Sequence, residues 1–129
     1  MAMDRVAVFA HCRDAYGTEP DYPWDGEAYA VLRHADTRKW YGVVMDLPKS
    51  KFGLDTAERT DVINLKLPSE MMGSFGPADG VYPAYHMNKG SWVSVLLDTA
   101  SEELVWFLIG VSFDVTMHLK LRKRKGETV

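Results

Sequence analysis

The chain has 129 residues, 47% hydrophobic and 26% charged, with four Trp, six Tyr and five Phe; this is the size of one ordinary domain, with enough apolar bulk to close a core unaided, and it excludes a largely disordered chain. The lone cysteine, Cys12, excludes an intrachain disulfide, the opening residues with Asp4 and Arg5 do not read as a signal peptide, and no run of about 18 apolar residues suits a membrane span. A reducing cytoplasm is the expected location, with no membrane partner. The net charge of −3 gives no general pull towards nucleic acid, yet it is unevenly spread: Lys120, Arg122, Lys123, Arg124 and Lys125 lie near the C-terminus, and removing these five positive charges leaves −8.

In chain order, Asp4 to Tyr16 reads as a helix, because Val6, Phe9, Cys12 and Tyr16 recur at three-to-four spacing and Gly17 can end it in the left-handed conformation. Thr18 to Gly26 holds Pro20 and Pro23 and reads as a loop, with Tyr22 and Trp24 folding back as an apolar flap. Glu27 to His34 is strand-like, His34 to Arg38 is a polar hairpin turn, and Lys39 to Leu47 is a second strand rich in β-formers, ended by Pro48. After a loop over Lys49 to Ala57, Thr60 to Leu67 alternates as a third strand, and Pro68-Ser69-Glu70 opens a short helix that stops near Gly73 or Gly76. Pro77 to Pro83 reads as a turn-rich loop and Ser91 to Asp98 as a fourth strand. Asp98, Thr99 or Ser101 can cap the last helix, with Thr99 and Glu102 matching a capping box; its expected buried stripe is Leu104, Leu108, Val111, Val115 and Leu119.

No internal repeat, low-complexity tract or linker interrupts the chain, so residues 1–129 read as one domain with a basic tail from about residue 120. Short connections between strands favour antiparallel pairing. The economical solution is an α+β domain: an antiparallel sheet of about four or more strands, covered on one face by the N- and C-terminal helices.

The residue types offer little for catalysis. One Cys with scattered His11, His34, His86 and His118 gives no metal-ligand spacing, and Cys12 falls on an apolar helix face where thiols are inert. The glycines match no phosphate loop. No catalytic residue, metal or cofactor is expected, and an enzyme centred on His86 would need a carboxylate beside it in a pocket.

The densest polar stretch, Tyr85-His86-Met87-Asn88-Lys89 leading to Trp92, suits recognition of an anion, a nucleotide or a peptide; equally, His86 and Asn88 can serve loop backbone groups while Trp92 anchors the strand. Basic residues interleaved with aromatics occur at Arg38, Lys39, Trp40 and Tyr41, then at Lys49, Lys51 and Phe52, and finally at Lys66, a pattern that can track a phosphate backbone or simply guard a strand edge.

Tyr22-Pro23-Trp24, Lys39-Trp40-Tyr41, Asn64-Leu65-Lys66, the segment Tyr82-Pro83-Ala84-Tyr85-His86-Met87-Asn88-Lys89 with Trp92, and Ser112-Phe113 with Thr116, taken in order along nearly the whole chain, resemble the MmcQ/YjbR family. The His-Met-Asn-Lys segment followed by Trp is the most specific piece. The resemblance implies a CyaY-like fold and a double-wing DNA-binding motif in which two β-hairpins contact the nucleic acid. On that reading the protein is a non-enzymatic DNA-binding protein, with Lys39, Trp40, Lys49, Lys51, Lys66, His86, Asn88 and Lys89 as contacts and DNA as partner. The alternative is a protein-interaction or small-ligand module using the Tyr85–Trp92 surface. The chain departs from the family pattern at Trp24, where Phe is frequent, at Phe113, where Tyr is usual, and at Gly90-Ser91, where a His commonly precedes the Trp.

Overall fold

A computed structural model describes residues 3–24 and 29–128, with side chains through Met117. Helix α1 spans Arg5–Tyr16; the Asp4 side chain accepts from Ala7 N–H at its start, and Gly17, at φ 67°, closes it with its N–H on the carbonyls of Arg13 and Cys12. Strands β1 (Ala30–Arg33), β2 (Trp40–Pro48) and β3 (Arg59–Lys66) follow, then β4 (Val81–Pro83), β5 (Trp92–Leu96) and helix α2 (Glu102–Thr128). All neighbours are antiparallel, in the order β1-β2-β3-β5-β4. The protein is thus the expected α+β sheet with its two helices.

Several details differ from the sequence reading, each for a physical reason. The first strand is shorter than Glu27–His34, and residues 25–28 lie outside the described residues. The stretch read as a loop over Pro77–Pro83 contains a 3-10 turn (Pro77–Asp79) and the edge strand β4; at three residues ending in proline, that strand is tolerated only because it lies at the sheet edge. The short helix after Pro68 is one 3-10 turn, Ser69–Met71. Ser101, not a Thr99–Glu102 box, caps α2: its Oγ accepts from Leu104 N–H, whereas Thr99 Oγ1 donates to Asp98.

The buried face of α2 is also rotated from the one expected. It runs Val105, Leu108, Ile109, Ser112 and Thr116, while Leu104, Val111 and Val115 are half-buried and Leu119 falls outside the described side chains. Two hydroxyls occupy core positions because backbone groups need them. Ser112 Oγ donates to the Tyr41 carbonyl at 2.6 Å and accepts from Lys66 N–H at 2.9 Å. Tyr41 and Lys66 stand next in register after the Gly42–Leu65 pair, so the serine hydroxyl replaces a ladder bond between β2 and β3.

Two apolar layers flank the sheet. The helix-covered side holds Leu32, Val44, Ile63, Leu65, Val93 and Val95 against α1 and α2. The helix-free side is apolar as well: Val31, Val43, Met45, Val62 and Leu96 lie beneath Phe52, Leu54, Tyr85 and Met87, which loops bring over them. No described helix is long and apolar enough to cross a membrane.

Candidate nucleic-acid interface

The β1–β2 turn and the β4–β5 loop leave the same end of the sheet. The register makes this necessary, since Arg33 pairs with Trp40, and Lys66, at the end of β3, pairs with Trp92, at the start of β5. The two hairpins flank the end of β3. Their midlines are three strand spacings apart, about 14 Å at 4.8 Å per strand.

The first hairpin owes its shape to a bulge and a strained turn. Between Leu32 and Arg33 the pairing skips a residue on β2, leaving Tyr41 extra. The bulge sends Tyr41 under the helices and Trp40 to the helix-free side. Tyr41 OH donates to Thr18 Oγ1 at 2.7 Å within a cage of Tyr16, His34 and Phe113; its burial pushes the phenol pKa up, and burial likewise pushes the Cys12 thiol up to about 11, which makes it a poor nucleophile. In the turn itself, Arg38 sits at φ 65°.

The second hairpin is tied to the sheet by a buried polar ring. Asn64 and Ser94 are cross-strand partners and fully buried. Asn64 Nδ2 donates to the Tyr85 carbonyl at 2.9 Å, Tyr85 N–H donates to Ser94 Oγ at 2.9 Å, and Ser94 Oγ donates to Asn64 Oδ1. Tyr85 is thereby held as a strand residue would be, and the chain then turns at His86, φ 60°. Asn88 Oδ1 accepts from Gly90 N–H, and its carbonyl receives Trp92 N–H, so Asn88 does serve the loop backbone. His86 instead takes up the left-handed turn, with its ring against Tyr85 at 3.9 Å. Trp92 is half-buried and belongs to neither core layer.

Of the eight residues expected to contact DNA, Lys39, Trp40, Lys66, His86, Asn88 and Lys89 gather at this double-hairpin end; Lys49 and Lys51 do not. These two follow the opposite end of β2, about 30 Å from Lys39 at 3.3 Å per residue. Lys49 is moreover clamped by Asp98 at 2.7 Å and Glu58 at 3.0 Å, and the hydrogen bonds to Asp98 and Glu58 raise its pKa. Ion pairing differs between the two ends of the sheet. The far end holds Asp46, Glu58, Asp61 and Asp98, with Arg59, Lys49 and Arg5 paired to them. At the double-hairpin end, Arg33 is held by Asp21, whereas Arg38, Lys39, Lys66 and Lys89 meet no carboxylate among the described residues. The sequence places Arg38 in the basic-aromatic run but not among the expected DNA contacts; its left-handed turn is a property of the backbone that the letter R does not carry. Helix α2 also points this way, continuing about 18 Å past Thr116; the side chains of the basic run lie outside the described residues.

The flap is only half as expected. Trp24 packs edge-on against Trp40 (5.6 Å) and Tyr29 (6.3 Å), while Tyr22 stays half-exposed. Between the loop after α1 and the first hairpin lies a shallow cleft of about 220 Å³ lined by Arg33 and Arg38 but also by Glu19 and Asp21, so its charge is mixed. Exposed His86 has no carboxylate beside it among the described residues.

His34, read as the start of a polar turn, is buried beneath α2. Its Nε2 lies 2.6 Å from Thr116 Oγ1, which in turn donates to the Ser112 carbonyl at 2.8 Å. Burial lowers its pKa, against the opposing pulls of Asp36 and the Phe113 carbonyl. A histidine depressed on folding binds fewer protons in the folded than in the unfolded chain, so its stabilising contribution is present above the ordinary imidazole value of about 6.5 and is lost as pH falls through the folded value. Urea midpoints should therefore decline from pH 7 towards pH 5, and His34→Gln should flatten that decline. An unchanged slope in the variant would assign the pH response to other groups.

A five-stranded antiparallel sheet with an N-terminal and a C-terminal helix defines the chain as an α+β protein. The YjbR family model matches residues 13–115, and the chain belongs to that family. It is 40% identical over 116 residues to the uncharacterized protein YyaQ of Bacillus subtilis, covering 88% of this chain and 98% of that one. A crystal structure of a Pseudomonas syringae protein, 42% identical, superposes with a TM-score of 0.84 over 88% of this chain and 99% of its own. A Deinococcus radiodurans protein, 21% identical, shares the fold at a TM-score of 0.65, over 87% of this chain and 77% of that one.

Proposed function

We propose that the protein binds DNA through the double-hairpin end of its sheet and does no chemistry on it. The observation that carries this reading is the convergence of Arg38, Lys39, Lys66 and Lys89, all without carboxylate partners among the described residues, at the sheet end from which the two hairpins leave. The separation of the hairpins, about 14 Å, is close to the roughly 12 Å width of a DNA major groove. His86 and Asn88 sit on the same loop as Lys89 and supply hydrogen-bond donors to phosphate oxygens. The basic run from Lys120 adds affinity in this scheme. Lys49 has its charge satisfied internally and is not part of the surface.

Binding of labelled DNA followed by anisotropy across a salt series tests this. Log affinity should fall linearly with log salt, and the double substitution Lys39→Glu with Lys89→Glu should lower affinity by roughly ten-fold or more and make the slope shallower by about 2. Lys51→Glu, on the opposite side of the molecule, should do far less. No binding at low salt, or a flat salt response, would reject the proposal. The half-exposed Trp92 favours one other reading, a small-ligand or protein-binding surface over Tyr85–Trp92; Trp emission that responds to such a partner but not to DNA would select it.

A further inference from the structure

Lys66 is half-buried on the helix-free side, with Trp92 as its direct partner on β5, and Trp40, at the start of β2, lies on the same side. Its ammonium meets no carboxylate among the described residues. It also does not cap either indole, since the one cation over a ring among the described residues is Arg33 over Trp40, at 5.6 Å. Trp40 is thus already engaged, by Arg33 and edge-on by Trp24. Trp92 has no ring partner among the described residues and lies outside both core layers. A half-exposed indole beside an unpaired, half-buried ammonium, on the floor between two hairpins, has the chemistry to seat a planar base and its phosphate together.

We propose that Trp92 and Lys66 form a seat for an unpaired nucleotide, the base stacking on Trp92 and the phosphate meeting Lys66, with Trp40 as the far wall. This rests on the DNA reading as far as a polymer is concerned. In a duplex, the faces of the bases are covered by their neighbours and only their edges and phosphates are offered to a protein, so the indole would find nothing to stack on. A single strand, a frayed end or a looped-out base presents a free π-face, and such stacking is tolerant of sequence. The same chemistry is met by a free mononucleotide, so the test separates the two sources.

Trp emission of the full chain is titrated at low salt with a short oligothymidylate, a mixed-sequence duplex of equal length, and thymidine monophosphate. The single strand should bind roughly ten-fold more tightly than the duplex. Trp92→Leu should bring that ratio close to one, and Trp92→Phe, which keeps a ring, should retain most of it. Lys66→Gln should weaken binding of both polymers. A wild-type protein that binds duplex as well as single strand, or a Trp92→Leu variant that keeps the preference, overturns the seat and leaves DNA binding standing. Binding of the monophosphate alone, abolished by Trp92→Leu, keeps the seat for a free nucleotide and removes the DNA reading. If none of the three binds, both fall.

Discussion

Asn64→Ala should lower the stability of the fold by about 2–3 kcal/mol and release the second hairpin. Asn64 is fully buried, and its amide completes the ring that satisfies both backbone groups of Tyr85. Truncation leaves the Tyr85 carbonyl without its donor and Ser94 Oγ without its acceptor, and each orphaned polar group of this kind costs about 1–3 kcal/mol. For a chain of this length the change corresponds to a fall in Tm of roughly 10 °C. Ser94→Ala should cost a similar amount, and because the two side chains share one ring, the double variant should lose about 1 kcal/mol or more less than the sum of the single losses. The functional consequence lies in His86, Asn88 and Lys89, whose positions depend on Tyr85 being pinned. Affinity for DNA in Asn64→Ala, measured well below its melting temperature, should therefore fall several-fold further than the folded fraction explains. Strict additivity of the two losses, or unchanged hydrogen-exchange protection in the β4–β5 loop, would show that the ring does not hold the hairpin.

How far these features could be read from the letters depends on which physical signal each leaves. Helix α1, β2, β3 and β5 are legible from their residue patterns, and Gly17 from the special conformation that a helix end needs, although Val6, expected on the apolar face of α1, is exposed and Val8 is buried instead. Edge strand β4 left no signal because three residues ending in proline look like a turn. The face of α2 was misplaced because pattern reading treats Ser112 and Thr116 as surface residues; they are core residues whose hydroxyls serve Tyr41, Lys66 and His34, partners far away in sequence. The bulge that separates Tyr41 from Trp40 depends on the pairing of β1 with β2 and is invisible in either strand alone. For the site, lysine positions were legible, but which of them converge was not: Lys39 and Lys49 bracket one strand and so point to opposite ends, a matter of topology. The roles of Asn64 and Ser94 were hidden for a similar reason, since a buried polar residue is distinguished from an exposed one by its partners and not by its identity.

Arg38→Gly should make the protein more stable and a poorer binder. Among the described residues two non-glycine positions have positive φ, Arg38 at 65° and His86 at 60°, and they fall one on each hairpin at the same sheet end. A side chain with a Cβ pays roughly 1–2 kcal/mol in the left-handed region, which glycine avoids, partly offset by the greater freedom of glycine in the unfolded chain. The net gain expected for Arg38→Gly is about 0.5–1 kcal/mol, a rise in Tm of a few degrees. If Arg38 were there for the turn alone, glycine would be an improvement in every respect. Strain kept at an exposed cation with no carboxylate partner is instead what a contact residue looks like, since the cost persists only where the side chain does something glycine cannot. Loss of one charge-assisted contact to phosphate should weaken DNA binding by about ten-fold, and Arg38→Lys, which keeps the charge and the strain, should recover most of the affinity but none of the stability. His86→Gly should follow the same pattern on the second hairpin. A variant that gains stability while binding as well as the parent would show the strain to be incidental, and Arg38 would then leave the interface while Lys39, Lys66 and Lys89 remain.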